Sequence, residues 1–140
     1  MLRISAFAAA ALLLAACNVQ ADSRSQVLAT EQSQVALRSI QTRAFDTGDK
    51  HATLRSVIAT LQDLGFVIEA ADDVLGTVSA TKLNDYELRI TVTVRPRSAT
   101  QVLVRANAQF EDRAIEDPLP YQRFFASLER SMFLTAQQVD

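Results

Sequence analysis

The sequence contains a single cysteine, a single histidine and no tryptophan among its 140 residues. One cysteine cannot form a disulfide within the chain, and one histidine cannot supply the ligand set of a zinc site. The three glycines are isolated from one another, which excludes a glycine-rich phosphate-binding loop. No serine lies in a nucleophile-elbow pattern, and a catalytic triad would have to use His51. We therefore expect no enzymatic activity and no cofactor or metal.

The sequence also lacks an excess of either charge, since its 14 basic and 16 acidic residues give a net charge of −2. Nucleic-acid-binding proteins usually cluster their basic residues on one face, whereas the arginines here are dispersed. The composition therefore predicts no nucleic-acid partner. Carboxylate pairs could bind a hard cation only if separate segments converged. We expect them to be solvated loop residues: Asp72–Asp73, Glu111–Asp112 and Glu116–Asp117.

One long apolar run is present, and it extends from Ile4 to Ala16 between Arg3 and Cys17. A basic start, an apolar stretch and small residues before a cleavage point predict a signal peptide at residues 1–16. The run is shorter than the roughly 20 residues that a membrane span needs. The residues before and including Cys17, Leu-Ala-Ala-Cys, resemble the lipobox of bacterial lipoproteins. The alternative is an ordinary signal peptide or an N-terminal anchor that happens to contain a cysteine.

The lipobox resemblance implies that Cys17 is acylated with palmitate-type chains and becomes the N-terminus of the mature protein. Two or three chains would hold the protein firmly in a membrane, because a single chain binds only marginally. In the lipoprotein sorting pattern an aspartate after the cysteine favours retention in the inner membrane, and this chain has Asn18. The resemblance therefore implies an outer-membrane lipoprotein that faces the periplasm.

From Cys17 onward, residues 17–34 are mostly small and polar, with a weak helical pattern over Val27–Val35. Such a segment buries too little apolar surface to fold alone, so we predict a flexible tether. The remaining residues, 35–140, have the size of one domain.

The domain begins with a predicted strand from Leu37 to Asp46 and a helix from Lys50 to Leu64. The segment between them offers an acidic or hydroxyl N-cap, and Gly65 is suited to end the helix in a left-handed conformation. One apolar stripe marks the inner face of the helix: Leu54, Val57, Ile58, Leu61 and Leu64.

Four predicted strands follow, at Phe66–Ala70, Thr77–Thr81, Tyr86–Arg95 and Gln101–Phe110. The last two alternate with period two between inward apolar and outward, mainly polar residues, which predicts an antiparallel hairpin with one face on the core. We expect Pro96 and Ser98 in the connection. Placing Val94 opposite Val102 also sets Tyr86 opposite Phe110, so that apolar residues meet apolar partners.

An acidic loop, Glu111–Pro120, precedes a final helix from about Leu119 to Gln137. Its predicted inner stripe consists of Tyr121, Phe124, Phe125, Leu128, Met132 and Thr135. The predicted order is β-α-β-β-β-β-α, an α+β fold in which two helices pack on one face of an antiparallel sheet.

That order resembles the helix-grip and TBP-like folds. The segment Ala59–Ile68, in which a helix ends in Leu-Gly-Phe, is followed by Gly76, which opens a strand. This arrangement is similar to the small domains of bacterial envelope lipoproteins of the BamC type, a component of the outer-membrane assembly machine. The resemblance covers about 40 residues and implies a fold and not a shared activity.

Two functions remain open. The outward face of the hairpin is polar, and it contains Arg89, Thr91, Thr93, Arg95, Leu103, Arg105, Asn107 and Gln109. Arginine is enriched at interfaces, so Arg89 and Arg105 are the candidate residues for binding an envelope protein partner in an assembly, transport or secretion complex. The alternative is a periplasm-facing carrier of a lipid or small apolar ligand. Five aromatic rings could line its cavity: Phe66, Tyr86, Phe110, Phe124 and Phe125.

Overall fold

The computed structural model describes residues 27–28, 31, 33–83 and 87–137, with side chains through residue 133. The described residues belong to two units, Met1–Leu37 and Arg38–Asp140. In the first unit every described residue is helical. The predicted signal peptide, Cys17 and most of the predicted tether lie outside the described residues. The described part of the second unit contains the α+β fold that the sequence predicts.

Helix α1 (Lys50–Asp63) forms where the apolar stripe places it. Asp49 caps its first turn, because the Oδ1 atom accepts a hydrogen bond from the backbone N–H of Ala52 at 2.8 Å. Leu64 is the C-cap, and Gly65 follows with φ of 86°, the left-handed conformation that glycine adopts without strain. The predicted start and both end signals of this helix are confirmed, and its last helical residue, Asp63, lies one residue before the predicted Leu64.

The strands of the second unit are β1 (Thr42–Phe45), β2 (Val67–Asp72), β3 (Thr77–Leu83), β4 (Glu87–Ser98), β5 (Gln101–Phe110) and the short β6 (Arg113–Ala114). They form one antiparallel sheet in the order β1-β5-β4-β3-β2, and β6 pairs with β5. The sequence predicted the five longer strands. β6 lies within the predicted loop, because two residues carry no periodic signal.

The first strand is shorter than predicted, because residues 37–41 are helical and only Thr42–Phe45 pair with β5. Further along, the edge of β5 is already used at Ala108. The backbone N–H of Ala108 donates to the Tyr121 hydroxyl at 3.3 Å, and its carbonyl oxygen accepts from Ile115 at 2.9 Å. A longer β1 would find no free backbone groups at this position.

The hairpin of β4 and β5 differs from the predicted register by two residues. Val94 lies opposite Val104, not Val102, and Leu88 lies opposite Phe110. Tyr86, the predicted partner of Phe110, lies outside the described residues. A shift of two residues leaves every side chain on its predicted face, since the side-chain period of a strand is two.

The cause is that β4 continues through Pro96 to Ser98, with a register irregularity between these two residues. The backbone N–H of Val94 donates to the Gly76 carbonyl at 2.7 Å, so Pro96, two residues later, directs its nitrogen to the same side. On that side β3 begins only at Thr77. Pro96 therefore removes no ladder hydrogen bond, and the strand does not end there.

Helix α2 (Pro118–Gln137) packs with α1 on the inner face of the sheet. Tyr121, Phe124, Phe125 and Leu128 are buried as predicted, and Met132 packs against the core while half-buried. The side chain of Thr135, the last predicted member of the stripe, lies outside the described ones. The core is completed by fully buried residues of the two central strands: Val92, Val94, Val102, Val104 and Ala106.

Candidate functional site

The sheet presents polar residues on its outer face, opposite the helices. Residues that lie opposite each other on adjacent strands share a face, so the pairings order this surface into rows. The central row runs across five strands and consists of Thr42, Arg105, Thr93, Thr77 and Asp72. The flanking rows are Asn107, Thr91, Ser79 and Ala70 on one side, with Gln109, Arg89, Thr81 and Val67 beyond them. Hydroxyl groups therefore dominate the middle of the outer face.

Both arginines that the sequence singled out lie on the outer face and are exposed. Arg89 on β4 forms an ion pair with Glu87, with its Nη2 atom 2.6 Å from Oε1. Among the described residues, Arg105 on β5 contacts one hydrogen-bond partner, the side-chain oxygen of Gln41, at a long 3.5 Å. The guanidinium of Arg105 is therefore the freer of the two charges. Arg95, also on this face, makes no hydrogen bond or ion pair with any described residue.

On the inner side, an apolar groove of about 430 Å³ lies at the end of the sheet where α1 ends and α2 begins. Its floor is formed by Leu88, Ile90, Ala108 and Phe110 from the two central strands. Its walls include Leu64 and Phe66 on one side and Ile115, Pro120, Tyr121 and Phe124 on the other. Pockets that hold small ligands have volumes of roughly 300–1,000 Å³ and mostly apolar linings.

Three of the five rings that we predicted from the sequence to line a cavity do line this groove, namely Phe66, Phe110 and Phe124. Phe125 belongs to the core instead, where its ring centroid lies 6.4 Å from that of Phe45 and 5.2 Å from that of Phe124. The guanidinium carbon of Arg43 also lies 4.9 Å from the centroid of Phe125. Tyr86 lies outside the described residues.

The groove is also lined by two cationic residues, Lys82 and Arg123, which the sequence did not indicate as site residues. The Lys82 ammonium donates a hydrogen bond to the Leu64 carbonyl at 2.9 Å and lies 5.9 Å from the centre of the Phe66 ring. A signal for Lys82 exists in the sequence, because it continues the inward alternation of Val78 and Ala80. The predicted strand ended at Thr81, one residue too early to reveal it.

His51 lies in the first turn of α1 and is exposed, as predicted. Its Nδ1 atom is 3.9 Å from the Oδ2 atom of Asp73, which is also exposed. Among the side chains that the structure describes, no three of histidine, cysteine, aspartate or glutamate are grouped in a way that could hold a metal ion.

No helix within the described parts of the chain is both long and apolar enough to cross a membrane. Comparisons with known proteins found no family model that matches the chain and no curated protein that matches it in sequence. The class to which the chain is assigned is therefore structural: an α+β protein with an antiparallel sheet and helices packed on it.

Proposed function

We propose that this protein is a non-enzymatic bacterial lipoprotein, anchored through Cys17 in the outer membrane and facing the periplasm. It acts by protein–protein contact in an envelope assembly, transport or secretion complex. The observation that carries the proposed contact is the outer face, where exposed arginines border rows of threonine and serine across the strands. A partner that presents carboxylates and hydrogen-bonding groups would complement this face.

Crosslinking in intact cells, followed by affinity purification, tests the contact. The native chain is compared with Arg89→Glu/Arg105→Glu, which reverses both charges on the outer face. The matched control is Arg55→Glu/Arg130→Glu, which makes the same change in net charge on exposed positions of the two helices. Circular dichroism of each purified variant checks that the fold is retained.

We expect the native chain and the helix control to recover the same envelope protein, and the outer-face variant to lose it. Recovery of the chain alone would contradict the proposal. Equal recovery of the partner by all three proteins would contradict the assignment of the outer face, because reversing two charges within a contact costs affinity by removing pairs and adding repulsion.

A carrier of a lipid or small apolar ligand is the second candidate function, and the groove between the helix ends favours it. Native mass spectrometry of the whole purified chain tests this role by detecting a bound molecule. Leu88→Trp places a large ring on the groove floor, and Leu103→Trp makes the same change on the outer face of the neighbouring strand. Loss of the bound molecule in the first variant alone supports a carrier; its absence from the native chain contradicts one.

A further inference from the structure

The alternation of β3 predicts an apolar side chain at the position that Lys82 occupies. Val78 and Ala80, the preceding residues on the inner face, are buried at 1% and 0% exposure. Lys82 lies opposite Leu88, a residue of the groove floor, and is half-buried. Its ammonium group has three donors, and the Leu64 carbonyl accepts one of them. The other two donors, at the edge of an apolar groove, have no acceptor among the described residues.

Arg123 adds a second positive charge to the same groove from the first turns of α2. The guanidinium makes no hydrogen bond or ion pair with any described residue. The described lining of the groove also includes no aspartate or glutamate. The groove thus combines a long apolar floor with two cations and, among its described residues, no acid. Positively charged side chains bind a negatively charged group by charge-assisted hydrogen bonds. The lining therefore matches an amphiphile with a negatively charged head.

We infer that this groove binds a free fatty acid, with the acyl chain along Leu88, Ile90 and Phe110 and the carboxylate at Lys82 and Arg123. The inference rests on the proposed carrier role and names its ligand. One acyl chain is favoured over the two chains of a phospholipid, because about 430 Å³ is near the lower end of the range for ligand pockets. The aromatic rings of Phe66 and Phe124 would cover the chain from the sides.

Methyl-resolved NMR of the whole chain in small phosphatidylcholine bilayer discs tests this assignment, with decanoate and decanol as probes. Both probes should shift the methyl signals of Leu88 and Ile90 but not that of Leu103 on the outer face. Lys82→Met/Arg123→Gln should weaken decanoate binding tenfold or more, because each charge-assisted hydrogen bond contributes at least about a factor of ten. Decanol binding should be unchanged, since it carries no charge.

The matched control is Arg97→Gln/Arg130→Gln, which removes two exposed charges that do not line the groove. Each probe is compared only with itself across the variants, so its partition into the lipid cancels. Equal decanoate affinity in the native chain and in Lys82→Met/Arg123→Gln would overturn the fatty-acid assignment while leaving the carrier role supported by decanol. Absence of shifts at Leu88 and Ile90 with both probes would overturn the carrier role as well.

Discussion

The hydroxyl group of Tyr121 donates a hydrogen bond to the backbone carbonyl oxygen of Ile115 at 2.7 Å. The hydroxyl oxygen of Tyr121 in turn accepts hydrogen bonds from the Ala108 backbone N–H and from the side-chain amide of Gln41, each at 3.3 Å. A hydroxyl has one proton and two lone pairs, so these contacts use its full capacity. One buried side chain of α2 thus joins the residue before β1, the central strand β5 and the segment that precedes α2 itself.

Replacing Tyr121 by phenylalanine should lower the free energy of unfolding by about 2 kcal/mol or more. The ring still fills its place, but the amide of Gln41, which is 4% exposed, loses a partner, as does the Ala108 N–H. A buried polar group left without a partner costs roughly 1–3 kcal/mol. Urea unfolding of the whole chain, followed by circular dichroism, measures the change.

Ser127→Ala on the same helix is the control for Tyr121→Phe, because the Ser127 hydroxyl is half-buried and contacts the exposed Arg130. It should change the free energy of unfolding by less than about 0.5 kcal/mol. Equal stability of Tyr121→Phe and the native chain would show that the three hydrogen bonds do not support the fold.

The contrast between Tyr121 and α1 shows which features the sequence can predict. The bounds of α1 follow from neighbouring residues: a stripe of period 3.6, an acidic cap before its first turn and a glycine directly after its C-cap. The sequence likewise places Tyr121 in the core through its stripe. Its hydroxyl contacts depend on residues 6 to 80 positions away, and no local pattern encodes them.

The same distinction explains the hairpin and the groove. Alternation sets which face each residue of β4 and β5 occupies, but the turn sets the register, and the turn depends on whether Pro96 can stay in the strand. That depends on where the neighbouring strand β3 begins, at Thr77, which no pattern in the sequence around Pro96 encodes. The groove floor follows from the inward alternation, whereas the presence of Arg123 from α2 in the same groove as Lys82 depends on the three-dimensional fold.

Two glycines with positive φ should differ in their tolerance of alanine. Gly76 has φ of 72°, and a Cβ atom there would collide with the backbone carbonyl oxygen of Val94, which cannot move without disturbing β4. Gly65 has φ of 86°, but its Cβ would meet only the flexible Lys82 side chain, at 3.4 Å. Gly65→Ala should therefore cost about 1 kcal/mol, from the left-handed conformation alone.

Gly76→Ala should lower the free energy of unfolding by clearly more than Gly65→Ala, because steric overlap adds to the same backbone strain. Thermal and urea unfolding of the two variants side by side give the comparison. The reverse order of stability would show that the turn before β3 adapts more easily than the contact with Val94 suggests.

Truncating Val92 and truncating Thr91, two neighbouring residues of β4, should lower the free energy of unfolding by different amounts. Val92 is 0% exposed on the inner face, so Val92→Ala should lower the free energy of unfolding by about 2 kcal/mol through lost burial and a residual cavity. Thr91 is half-buried on the outer face, and Thr91→Ala should cost less than about 1 kcal/mol. Urea unfolding measures both. Equal costs would mean that the outer face is packed like the core, which would argue against a contact surface for a partner.

The proposed anchor makes a chemical prediction at Cys17. In a bacterial host supplied with labelled palmitate, the native chain should incorporate the label, and Cys17→Ser should not, because lipidation of a lipobox begins at the cysteine thiol that this variant lacks. The labelled chain should sediment with membranes. Ser23→Ala, a few residues further on, should behave as the native chain does. Label on Cys17→Ser, or none on the native chain, would contradict the lipoprotein assignment.

The residue after Cys17 tests the choice of membrane separately from the anchor. Asn18→Asp introduces the residue that favours inner-membrane retention in the sorting pattern that this N-terminus resembles. The native chain should therefore be found with outer-membrane fractions on a sucrose gradient, and the variant with inner-membrane fractions, while both still incorporate palmitate. Asn18→Gln, which keeps a neutral amide, is the matched control and should remain with the outer membrane. If the native chain already separated with the inner membrane, the outer-membrane proposal would fail although acylation of Cys17 would stand.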